Sequence, residues 1–129
     1  MGVFVDSVKN DWLDDFTSST TYVALFVGDP SDGGTELSSS NYARKSVAAA
    51  DWNAASSGSL TNANAITFVQ ATGEWSASDI TYWALYDAAS DGNLLAYDEL
   101  AAGQQQPIAA NNTVEFAAGD ITLEITDPT

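Results

Sequence analysis

The rhythm of apolar and polar positions changes once along this chain. Over the first sixteen residues, Val5, Val8, Trp12 and Phe16 recur at spacings of three and four, with Leu13 beside them and Lys9, Asn10, Asp11 and Asp14 on the other face. That period predicts an amphipathic helix, ended by the polar run Thr17-Ser18-Ser19-Thr20. Its apolar stripe needs cover, from the chain's own domain or from a neighbouring subunit. From Thr21 the period is that of strands. Residues 22–27 are apolar on both faces, as in a central strand. Residues 42–47 form a short strand, and in residues 60–69 Ile66 and Phe68 alternate with Ala65 and Thr67. Residues 80–86 and 94–100 read as an antiparallel hairpin, because Asp87 to Asn93 between them are small and turn-forming. Residues 113–116 and 120–126 read as a last hairpin through Ala117-Ala118-Gly119. Its final strand turns Ile121, Leu123 and Ile125 inward and Thr122, Glu124 and Thr126 outward.

Strands spaced about ten residues apart leave no room for the helices of a parallel sheet. The pattern therefore predicts an all-β antiparallel sandwich, jelly-roll-like, of about seven or eight strands, with a short N-terminal helix. Residues 1–19 are the expected helical segment and residues 20–129 the expected sandwich domain. No internal repeat, coiled-coil heptad or collagen-like tract interrupts the pattern.

Composition sharpens this picture mainly by exclusion. Eighteen acidic residues face three basic ones, a formal net charge of -15. Such a field repels phosphate backbones and anionic lipid, so neither nucleic acid nor a membrane is an expected partner. The acidity suits solubility, or complements a basic partner. Thirteen of the acids are Asp, a residue of turns and caps, which agrees with short strands and loops. The chain has no Cys and no His, which removes thiol nucleophiles, His general bases and the usual zinc sites. The start Met1-Gly2-Val3-Phe4-Val5-Asp6 lacks the basic opening and long apolar core of a secretory signal.

Carboxylates are the only catalytic material left. Glu74 with Asp79, and Asp98 with Glu99, bracket the aromatic hairpin. A glycosidase needs two acids about 5 to 10 Å apart in a sugar cleft. Among eighteen acids such neighbours are expected by chance, and Trp75, Tyr82, Trp83 and Tyr86 are spaced as core residues. The loops Asp29-Pro30-Ser31-Asp32-Gly33 and Asp87 to Asn93 each hold two carboxylates that could take calcium. Their spacing is not that of an EF-hand, and capped turns explain them equally. No catalytic, metal or cofactor residue is assigned.

A resemblance rests on an ordered series of short motifs. The series is Asp29-Pro-Ser-Asp-Gly-Gly-Thr-Glu36, Asn41-Tyr-Ala-Arg-Lys45, Leu60-Thr-Asn62 with Ile66-Thr-Phe68, Ile80-Thr-Tyr-Trp-Ala-Leu-Tyr-Asp-Ala-Ala89, Gly92-Asn-Leu-Leu95 and Val114-Glu-Phe-Ala-Ala-Gly119. Together these motifs, across roughly residues 20 to 125, resemble a family of small tailed-phage structural proteins of the tail-fibre-like or virion kind. The resemblance implies a non-enzymatic virion protein with no catalytic motif to carry over. A compact sandwich with a helical leader suits a capsid decoration (cement) protein on the shell exterior, forming dimers or trimers and bound to the major capsid protein or another virion protein. The alternative is a tail or baseplate component that binds a receptor or carbohydrate. Either way, Val3, Phe4, Val5 and Trp12 are the candidate interface.

Overall fold

A computed structural model of the chain describes residues 2–127. Its elements begin with α1 (Asp6–Phe16), β1 (Thr21–Val27), β2 (Thr35–Glu36), β3 (Lys45–Val47) and β4 (Ser59–Thr61). There follow β5 (Ile66–Thr67), β6 (Tyr82–Tyr86), β7 (Leu94–Glu99), β8 (Glu115–Phe116) and β9 (Thr122–Glu124). The sheets are β2-β1-β6-β7 with β3 also on β1, a β4-β9 pair and a β5-β8 pair. This all-β, antiparallel architecture with one short N-terminal helix is the class that the alternation predicts, and it is consistent with a sandwich. The chain divides into two compact units: Met1–Thr20 with Val47–Ile66 and Phe116–Thr129, and Thr21–Ser46 with Thr67–Glu115.

The second unit is built on the β1-β6-β7 ladder. Val23 stands opposite Leu85 and Leu25 opposite Trp83, all four buried. On the alternate face Ala24 meets Ala84 and Phe26 meets Tyr82, and Phe26 stacks on Tyr86 at 6.3 Å. The small Ala24–Ala84 pair leaves room for these rings. The expected hairpin of residues 80–86 and 94–100 forms as β6 and β7. Its loop turns at Asp91 (φ 54°) and Gly92 (φ 76°), and a Cβ on Gly92 would crowd Asp87 and Ala88. Past the loop that follows β1, β2 pairs back on it, Phe26 opposite Glu36 and Val27 opposite Thr35. An Asp29 turn makes this possible, its carboxylate accepting from Ser31 N (2.8 Å) and Ser31 Oγ (2.7 Å).

The first unit departs from expectation in its strand pairing. Besides the alternating β5, β4 forms ahead of Asn62, and the last hairpin does not form. Instead β9 pairs with β4, Leu60 opposite Leu123, while β8 pairs with β5. The cause is Asn62, which is fully buried. Its Nδ2 donates to the carbonyls of Asn64 (2.9 Å) and Ala117 (3.0 Å). Its Oδ1 accepts from Gly119 N (3.1 Å) and Ile121 N (3.0 Å). The turn at residues 117–121, closed by Asp120 N donating to Ala117 O (3.0 Å), is thus also held on Asn62.

Helix α1 packs by a side other than its apolar stripe. Its buried residues are Lys9 and Leu13, with Thr17 just beyond, not the Val5–Trp12 stripe. Polar anchors set this face: Asn10 Oδ1 accepts from Gly58 N (2.9 Å) and Asp14 Oδ1 from Ala55 N (2.8 Å). Lys9 lays its methylenes against Gly58 and reaches Asp127 at 2.6 Å.

Candidate assembly surface

Because Asn10 and Asp14 turn α1 onto residues 55–58, its aromatic side is left outward. Val5 caps the helix without a side-chain bond and is extended (φ -74°, ψ 157°), so residues 2–5 leave the helix as an arm. Val3, Phe4 and Val5 are 62%, 52% and 63% exposed, and Trp12 is 49% exposed. Phe4 meets Trp12 edge-on at 4.6 Å, joining arm and helix into one apolar patch. The structure thus brings the four candidate interface residues to the surface, two of them in contact. Exposed bulk of this kind is suited to docking.

Arg44 organises the acidic loops of the second unit. Its Nε and Nη2 donate to Glu36 Oε2 (2.9 Å) and Oε1 (2.8 Å), the paired geometry that a guanidinium favours. Its Nη1 donates to the carbonyls of Ala88 (2.9 Å) and Asp91 (2.8 Å), and its guanidinium carbon sits 3.8 Å from the Tyr86 ring centroid. Two carbonyls of the Asp87–Asn93 loop are therefore turned onto an internal cation. Asp87 itself accepts from Asn93 N and Nδ2, both at 2.8 Å, and those bonds hold its carboxyl below the usual range. Among the described residues no group of three or more acids is gathered as a metal site.

The aromatic residues divide by burial. Trp75 and Trp83 are buried, Tyr82 and Tyr86 half-buried, and Tyr97 exposed beside Tyr82 at 6.4 Å. Glu74 and Asp79 are exposed, with the buried Trp75 between them in sequence. Sequence reasoning did not single out Tyr42, which proves central to its unit. Its hydroxyl accepts from Leu25 N (3.0 Å) and donates to Glu36 Oε2 (2.8 Å). Its ring meets Trp75 edge-on at 5.3 Å. Burial pushes its pKa far above the ordinary tyrosine value. Glu36 adds to that rise, while the Leu25 N–H and Arg44 oppose it.

Beside this core runs an open cleft of about 360 Å³, walled by residues 43–46 and by Thr67, Phe68 and Val69. Lys45 stands in it. Lys9 and Arg44 each pair with a carboxylate, so among the described residues Lys45 is the cation without one. Only the adjacent Arg44-Lys45 in an acidic chain could have flagged the cleft from sequence.

The chain is thus an acidic, all-β protein with internally bonded loops and an outward apolar arm. Residues 7–124 match the family model described as Gp80, Podophage GP4 fiber I protein gp80. The match spans most of the chain, and the chain belongs to this family of phage structural proteins, components of the virion. No curated protein matches the chain.

Proposed function

We propose that this protein is a non-enzymatic block of the phage fibre apparatus, mounted on a neighbouring virion protein through its N-terminal arm. The observation that carries the reading is the patch of Val3, Phe4, Val5 and Trp12, apolar and exposed on a chain of net charge -15. Burial of such rings at a subunit contact is a common source of binding energy. The fibre description of the family supports the tail as the mounting place. The lack of His and Cys supports a non-catalytic role.

A capsid decoration protein, seated on the major capsid protein, is the second reading. It is favoured by a chain with no fibre repeat or heptad from which to build an extended shaft. Gold-labelled antibody on purified particles, combined with quantitative mass spectrometry, separates the two. Label on the tail with few copies supports the fibre reading. Label over the shell with copies on the order of hundreds transfers the protein to the capsid. Absence from purified particles contradicts both.

A further inference from the structure

Two features of the surface have matching chemistry. The first is the cleft of the second unit. Its walls, residues 43–46 and 67–69, are tied together at one end, where Asn41 Nδ2 donates to Gln70 O (2.8 Å) and Asn41 Oδ1 accepts from Thr72 N (3.0 Å). Beyond that tie the walls separate: β3 pairs with β1 and β5 with β8, and no strand pairing joins β3 to β5. Val69 on one wall is 54% exposed, and Lys45 on the other has no carboxylate partner among the described residues. An occupant should therefore be extended, apolar and tipped with an acid.

The second feature is the arm, Gly2-Val3-Phe4-Val5, with the acid Asp6 just after it as the first residue of α1. Its Val3, Phe4 and Val5 are strand-forming and exposed, and Val5 is already extended. We infer that the cleft of one copy receives the arm of a second copy, with Val3 to Val5 as an added strand beside Val69 and Asp6 against Lys45. This deepens the reading of the arm as an anchor, and rests on it, by naming another copy of the chain as the partner.

Charge favours this partner and this place. Two chains of net charge -15 repel over most of their surfaces, so a self-contact needs a local cation facing a local acid. A contact between two different patches is heterologous. It propagates from copy to copy unless the rotation closes a ring, and so yields linear arrays or closed rings.

Sedimentation velocity on the purified full chain, over a range of concentrations and at low and high salt, tests the inference. The expected result is concentration-dependent association. Lys45→Asp or Asp6→Lys alone should weaken it about tenfold, and the two together should restore it. Both positions are exposed, so neither change threatens the fold, and the double variant controls for it. A second arm uses a fluorescein-labelled peptide of residues 2–8, whose anisotropy should rise with the wild-type chain and not with Lys45→Asp. A chain that stays monomeric at all concentrations overturns the inference, as does association indifferent to both charge reversals. If such a monomer still enters particles through its arm, the anchoring role stands and only the self-partner falls.

Discussion

Asn62 has no exposed surface, and its side chain makes four hydrogen bonds, two given and two received. Nothing in the run Leu60-Thr-Asn-Ala-Asn marks it as different from a turn residue, because three of its four bonds reach partners more than fifty positions away. Asn62→Ala strands buried backbone groups, and Asn62→Asp turns a charge toward two carbonyl oxygens. Each should cost about 3 to 5 kcal/mol in urea unfolding. A loss under about 1 kcal/mol would show that the turn holds without it. Tyr42 was equally hidden, since its value comes from Leu25, Glu36 and Trp75 converging on one ring. Its folded pKa lies above the unfolded value of about 10, so its contribution is whole below that pH and is lost as pH rises past it. Tyr82 and Tyr86 shift the same way, so the wild type should lose stability above pH of about 10. Tyr42→Phe should start less stable, having lost two hydrogen bonds, yet show a shallower alkaline decline. An unchanged decline would exclude Tyr42 as its main source.

Elements with a strong local period were legible, and those that depend on distant partners were not. The β1 run and the β6–β7 hairpin follow from apolar patterning and turn residues alone. The last hairpin was misread because its inward alternation is correct while its pairing is not: β9 keeps Leu123 buried but takes β4 as its neighbour. In α1 the period is legible, but the side that packs on its own unit is not. The apolar stripe outweighed Lys9, Asn10 and Asp14 in the sequence, whereas in the fold those polar side chains do the docking. This gives a sharp contrast between neighbours. Leu13→Ala should destabilise by about 2 to 4 kcal/mol, while Trp12→Ala should change stability by less than about 1 kcal/mol. Thermal unfolding of the two variants checks it, and a larger loss at Trp12 would mean that the outward face is in fact structural. Strand β7, at the sheet edge, carries its own protection. A register shift opposite Leu85 and Tyr86 breaks the ladder, and Asp98 accepts from Glu99 N at 2.8 Å.

For the molecule as a whole, the acidity and the arm belong to one account. A net charge of -15 keeps copies apart in solution except where an apolar or basic patch invites contact. The described residues offer such a patch in Val3, Phe4, Val5 and Trp12, and a lone cation in Lys45. The four exposed positions were readable from sequence as bulky apolar residues near the start of the chain. The cleft was not, because it exists only where residues 43–46 come beside residues 67–69. Removing residues 1–16 would confuse mounting with folding, since Lys9 and Leu13 are buried. The most direct measurement therefore keeps the helix. Phage assembled with V3S, F4S, V5S and W12S combined should be purified and the protein counted per particle against wild type. The account predicts a folded variant that is largely missing from particles; wild-type occupancy would contradict it.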